Sequence, residues 1–217
     1  MLILLPPSEG KTAPEGGEAV DLDSLVFAEE LGEQREKLIQ AFDPALLKVP
    51  AVPAAEVYTG VLFGRLQLPK LGKRARGRVL IASGLWGFVR PDDRIPYYKF
   101  PPKTKLKGIG APAGYWRPAL AEAMPDREDE LIVDMRSGAY ASFWKPKRAT
   151  LLAVRAFTER DGERKAVSHM AKAVRGDVAR ALLQAKKQPK DAEDAAAIAR
   201  AAGFSVELTD GSLDAIV

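Results

Sequence analysis

The apolar runs in this chain are short, and that restricts its architecture more than any other property. Leu2-Ile3-Leu4-Leu5, Val79-Leu80-Ile81-Ala82 and Leu131-Ile132-Val133-Asp134 are nearly continuous hydrophobic segments, each too short for a helix. Such runs read as buried strands. Helical spacing fills the intervals between them. Leu25, Ala28, Leu31, Leu38 and Phe42 share one face of a helix that Asp23 or Ser24 can cap, and the Glu-rich opposite face is expected to be solvated. Residues 56–68 read as a helix or turn. Residues 115–124 read as a helix with Trp116, Leu120 and Ala123 inward. The clearest helix covers 169–187, with Met170, Val174, Val178 and Leu182 toward the core. A further helix at 192–202 ends at Gly203, before a last strand at 204–208. Strands at 151–158 and 165–168 flank Asp161-Gly162, a hairpin turn signal. Strands alternating with helices, plus one hairpin, predict an α+β fold with a mixed central sheet wrapped by helices. At 217 residues and 47% hydrophobic content, the chain suits a single domain over 1–217 with a full core.

Composition removes several chemistries. There is no cysteine, so disulfides, thiolate catalysis and thiolate metal sites are excluded. The one histidine, His169, stands at a helix start and reads as a cap or packing residue. No metal site or cofactor is expected. No run approaches the roughly 18 apolar residues of a membrane span. Met1 to Leu5 breaks at Pro6-Pro7 and carries no basic leader, so the expected location is cytoplasmic, away from membranes. Reactivity is left to Lys, Arg, Asp, Glu, Ser, Thr, Tyr and the backbone.

The net charge of +4 is unevenly distributed. Residues 9–36 are mostly acidic. Residues 64–78 hold Arg65, Lys70, Lys73, Arg74, Arg76 and Arg78 with no acid, and 97–120 hold Lys99, Lys103, Lys105, Lys107 and Arg117 with none. This asymmetry suits a partner that carries phosphates.

Strand ends carry the remaining signals. After the strand at 79–82, Ser83-Gly84 and Gly87 allow tight turns around Trp86, and Arg90-Pro91-Asp92-Asp93-Arg94 brackets two carboxylates with two cations. Tyr97 and Tyr98 close that stretch. Gly10-Lys11-Thr12 imitates the end of a phosphate-cradling loop, but Leu5 stands where such a loop needs glycine and Pro14 follows. Lys11 is left as a phosphate or carboxylate ligand at a strand end. Gly108-Ile109-Gly110 before Pro112 resembles the hairpin of a helix-hairpin-helix DNA-binding motif, although Pro101-Pro102 bars a long first helix. Arg136-Ser137-Gly138-Ala139-Tyr140 is a second strand end of functional character. Lys172 and Arg175 share a helix face, and Gly176, costly in mid-helix, predicts close approach of a neighbour.

Taken in order, several segments resemble the YaaA family of bacterial peroxide-stress proteins. They are the first strand with a Pro-containing loop ending in Lys11-Thr12, Val57-Tyr58-Thr59-Gly60, Ser83-Gly84-Leu85-Trp86-Gly87 with Arg90-Pro91 and Asp93, Lys145-Pro146-Lys147, and Ala171-Lys172 with Arg175-Gly176 and Arg180. The first loop differs from the commoner Ser-Pro-Ala-Lys, and the chain is short for the family. The resemblance implies a compact mixed sheet with a positively charged cleft, duplex DNA binding, and a cytosolic part in limiting iron-dependent oxidative damage.

Two ligand-binding readings follow. In the first, Lys11, Arg90, Lys145, Lys147, Lys172, Arg175 and Arg180 neutralise the phosphates of DNA with little sequence selectivity, and Trp86 or Tyr97 stacks on bases. In the second, an enzyme acts on a nucleotide or other anionic small molecule, with Lys11, Ser83, Arg90, Asp93 and Asp134 converging. Asp93 is then the general base, and Ser83 or Tyr58 orients the substrate. A third reading leaves the Arg–Asp pairs as loop struts. A long open groove favours DNA; a cavity of a few hundred Å³ favours a small molecule.

Overall fold

Leu2–Leu5 (β1) is buried at every position, and it forms the middle of the sheet rather than an edge. The computed structural model describes residues 1–101, 103–160, 163–166 and 168–216. Along the chain β1 is followed by α1 (Ala28–Phe42), β2 (Ala51–Pro53), α2 (Ala54–Val57), α3 (Val61–Leu66), α4 (Lys73–Arg76) and β3 (Val79–Ser83). Next come β4 (Gly87–Val89), β5 (Arg94–Pro96), α5 (Pro112–Ala123), β6 (Leu131–Asp134) and α6 (Gly138–Ala141). The last elements are β7 (Thr150–Arg160), β8 (Glu163–Ala166), α7 (Ser168–Gln184), α8 (Ala192–Ala201), β9 (Ser205–Thr209) and β10 (Ser212–Ile216).

The main sheet runs β4-β3-β1-β6-β7-β10-β9, with β8 pairing β7. Its centre is parallel: Ile3 faces Val79 on one side and Val133 on the other. β4, β8 and β9 are antiparallel additions, so the sheet is mixed and the fold α+β, one domain with helices against the sheet. Strands paired on both sides and covered on both faces must be apolar throughout, which is why the short runs read so clearly. β2 and β5 form a separate two-stranded ribbon.

Several expectations change in detail. The turn at Leu22–Ser24, capped by Asp21, is a short 3-10 segment, and α1 starts only at Ala28. Arg35, a charged residue on that helix, is fully buried. Met170 is 48% exposed rather than core. An i, i+4 series drifts by about 40° per step on a 3.6-residue helix, and the buried stripe begins at Ala171 and Val174 instead. The chain also does not end its sheet at β9. β10 follows it, parallel to β7, with Leu213 and Ala215 fully buried. The Asp161-Gly162 turn and the His169 side chain lie outside the described residues, although β7 and β8 on either side of the turn pair antiparallel as expected.

Candidate functional site

The loops after β1, β3 and β6 leave the same end of the parallel sheet and meet at one cavity of about 630 Å³. That end, beyond the carboxyl ends of the strands, is where open α/β sheets receive ligands. Residues 6–11 follow β1, Gly84 follows β3, and Ser137 with Tyr140 follows β6. Thr59 to Phe63 at the start of α3, Tyr98 to Pro101, and Lys172 and Arg175 of α7 close the rest.

Lys11 is the central cation. Its loop is tied to the chain before α3: Thr12 N–H donates to Val57 O at 2.9 Å and Thr59 N–H to Gly10 O at 3.1 Å. The Lys11 ammonium donates to Ser8 O at 2.7 Å and lies 4.7 Å from the Tyr98 ring centre and 5.7 Å from that of Tyr58. Burial pulls its pKa down to about 8, opposed by the neighbouring Glu9 carboxylate. Two tyrosine faces partly replace the hydration that the ammonium gives up.

Beneath it runs a chain of buried hydroxyls. Tyr58 Oη and Tyr98 Oη are 2.6 Å apart, and Tyr98 Oη and Ser83 Oγ 2.7 Å. Ser83 Oγ also accepts the N–H groups of Leu85 and Trp86. Burial pushes both tyrosine hydroxyls up, so they remain protonated donors. Tyr140, on the cavity wall, is pushed up to about 12 by burial. Glycines let the wall close: a Cβ at Gly84 would lie 2.8 Å from the Phe100 ring, and Gly87 has φ +73° under the Trp116 ring.

The opposite wall is cationic. Arg175 donates Nε to Val154 O at 3.0 Å, and burial lowers its pKa while nearby Asp134 opposes this. Lys172 is exposed at the rim. Gly176 allows this wall to approach. A Cβ there would lie 2.5 Å from Leu62 O and 2.8 Å from the Arg65 Cβ, so α7 crosses α3 almost backbone to backbone.

Thus Lys11, Lys99, Lys172 and Arg175 share one cavity, with Glu9 as the one carboxylate on its lining among the described residues. The other candidate ligand and catalytic residues lie off this lining, Ser83 and Tyr58 beneath it and the rest farther away. Asp93 Oδ2 accepts the N–H groups of Val26 at 3.1 Å and Arg90 at 2.8 Å, which pins the turn before β5 to the start of α1. Burial raises the Asp93 pKa, while those bonds and the guanidinium groups of Arg35 and Arg90 oppose the rise. Arg90 is exposed and, like Asp93, is not on the cavity lining. Lys145 and Lys147 are exposed beside a turn held by Asp126, whose carboxylate accepts the N–H groups of Lys147, Arg148 and Ala149. Arg180 donates to Leu66 O and caps α3. Asp134 forms a buried bidentate pair with Arg136, which also donates to Tyr140 O and Trp144 O and so fixes the loop after β6. Trp86 is fully buried, edge-on to Tyr98, and presents no face to a ligand. Tyr97 is half-buried and off the lining.

Sequence reasoning missed Glu9, Phe63 and Tyr98 as cavity walls. Only Tyr98 left a usable trace, as one of two tyrosines directly after a charged turn.

Fold and site together define a single-domain α+β protein with a lysine- and tyrosine-lined cavity at its parallel strand ends. The chain belongs to the family described as peroxide stress protein YaaA, whose pattern matches residues 17–209. A UPF0246 protein of Streptomyces coelicolor is 39% identical, over 95% of this chain and 92% of its own length. One of Corynebacterium efficiens is 36% identical over 97% and 96%. An uncharacterized protein of Campylobacter jejuni is 33% identical over 70% of this chain and 62% of its own. Among the described residues no helix is long and apolar enough to cross a membrane.

Proposed function

We propose that this chain serves the peroxide-stress response by holding an anionic small molecule of nucleotide size between Lys11, Lys172 and Arg175. One observation carries the reading: four cations from three distant parts of the chain, Lys11, Lys99, and Lys172 with Arg175, line a cavity of about 630 Å³ whose other walls include Phe63, Tyr98, Phe100 and Tyr140. That volume falls in the range of small-molecule sites. The cations suit phosphate or carboxylate, and the aromatic wall suits a flat base or ring. Captured or converted in the cell, such a ligand links the protein to the limitation of iron-dependent oxidative damage. The test is a thermal-shift panel of nucleoside mono-, di- and triphosphates on the wild type, Lys11→Met and Lys172→Ala. A melting temperature raised by at least one nucleotide in the wild type, and not in Lys11→Met, supports the reading. A flat wild-type response overturns it.

A second reading, contact with duplex DNA, draws on the tight turn from Leu106 to Gly110 that leads into α5 at Pro112, and on exposed Lys105 and Lys107 beside it. Its mark is affinity that falls steeply between 50 and 200 mM salt, in proportion to the phosphates contacted.

A further inference from the structure

The acid-free stretch at 64–78 is only partly explained by ion pairing. Arg65 pairs with Asp177 and Arg76 with Asp92, each at 2.6 Å. Arg74 and Arg78 have no carboxylate within ion-pair distance among the described residues. Both line a second cavity, of about 860 Å³. It lies at the other end of the sheet from the first, because Met1, Arg78 and Leu131 on its lining stand at the starts of β1, β3 and β6.

Lys186, Lys187 and Lys190, from the link between α7 and α8, line the same cavity and are exposed. Among the described residues Asp129 is the one carboxylate on its lining, so five side-chain cations face one acid. Arg78 donates Nη2 to Leu183 O at 2.8 Å, near the end of α7. Its Nε and Nη1 are buried without an acceptor among the described residues. Burial and the charge of Arg74 both lower its pKa. A buried donor left unmet costs about 1–3 kcal/mol, and like charges gathered in a concave site raise the local concentration of counter-ions.

We propose that this second cavity is a binding site for a condensed phosphate, either free or as the triphosphate of a nucleotide. The cations come from three separate segments: α4, the start of β3 and the α7–α8 link. A single phosphoryl group cannot meet all of them, whereas a short chain of linked phosphoryl groups can. The concave shape encloses a small polyanion better than the convex side of a duplex. This site is independent of the reading given for the first cavity.

The test is calorimetric titration with inorganic tripolyphosphate at fixed ionic strength. Compared are the wild type, the exposed double variant Lys186→Ala/Lys187→Ala, and Arg74→Ala. Unchanged melting temperatures establish that the variants are folded. With each protein carrying Lys11→Met, which removes the central cation of the first cavity, tripolyphosphate should still bind, the double variant should bind it at least tenfold more weakly, and Arg74→Ala more weakly as well. ATP titrated into Lys11→Met separates the sources. Affinity equal to that of tripolyphosphate assigns the site to nucleotide triphosphates; markedly weaker ATP binding assigns it to the free polyanion. Equal tripolyphosphate affinity in all variants overturns the proposal. So does a wild type that ignores tripolyphosphate while binding duplex DNA through these same side chains.

Discussion

At Lys11 two physical effects compete: burial penalises the ammonium, and the faces of Tyr58 and Tyr98 support it. The result is an amine that titrates near 8 instead of 10.5. Binding of an anion that needs the charged amine should therefore be flat below about pH 8 and weaken above it. Lys11→Arg should move that fall beyond pH 10, which titrations between pH 6.5 and 10 would reveal. The stability effect has the opposite sign. Between about 8 and 10.5 the unfolded chain holds more protons at this position than the folded chain, so the contribution of Lys11 to stability rises with pH across that window. Arg35 is the other residue whose setting governs its role. It donates to Val26 O at 2.7 Å, Trp86 O at 3.1 Å and Phe88 O at 2.9 Å, all inside the core. Burial lowers its pKa to about 10, with Asp93 the main opposing charge. Arg35→Leu should cost about 3 kcal/mol or more, because three buried carbonyls lose their donor. Urea unfolding measures this, and a loss under about 1 kcal/mol would show that the carbonyls had found other partners. The sequence did contain the signal. Position 35 lies four after Leu31 and three before Leu38, inside the apolar stripe, but the stripe was drawn from apolar residues alone.

Among the elements, the α3–α7 crossing is the most sharply defined. Gly176→Ala should destabilise by about 1–3 kcal/mol despite alanine's better helix propensity, because backbone of α3 occupies the space its Cβ needs. Gly32→Ala in α1 is the control. Nothing lies within 4 Å of a Cβ there, so the change should stabilise by about 0.5–1 kcal/mol. Chemical denaturation of the two variants side by side checks both signs. The close approach at Gly176 was legible in advance, since an unhelpful glycine in a strong helix needs a packing reason. The central strands were legible because they are apolar on both faces. β4 and β5 were not: at three residues each they carry no periodicity of their own, β4 folding back on β3 and β5 pairing with distant β2. β10 was missed although Asp210-Gly211 repeats the turn signal that revealed the β7–β8 hairpin. The site shows the same division. Lys172 and Arg175 lie on helix positions that the pattern fixes, and Lys11 lies in the loop that the first strand leads into. Arg90 and Asp93 belong to a turn whose direction is set by contact with Val26 and by the β2–β5 ribbon, which no local signal encodes.

For the molecule as a whole, the C-terminal hairpin completes the sheet. β10 lies between β7 and β9 and buries Leu213 and Ala215. A chain ending at residue 203 would leave β7 with an open apolar edge, and it should lose its cooperative thermal transition and bind dyes that report exposed core. Circular dichroism and dye fluorescence on the truncated protein provide the readout. Charge asymmetry was visible along the sequence, but not that the sheet would send its cations to two opposite ends, because direction along a strand exists only once the strands are paired. The position of β1 also bears on biosynthesis. Leu2 is paired with Ile132, 130 positions later. At a translation rate of roughly 5–20 residues per second, the earliest apolar segment waits on the order of ten seconds for its second neighbour. During that interval it leaves the ribosome as sticky, unshielded chain, which makes the nascent protein a natural client for chaperones.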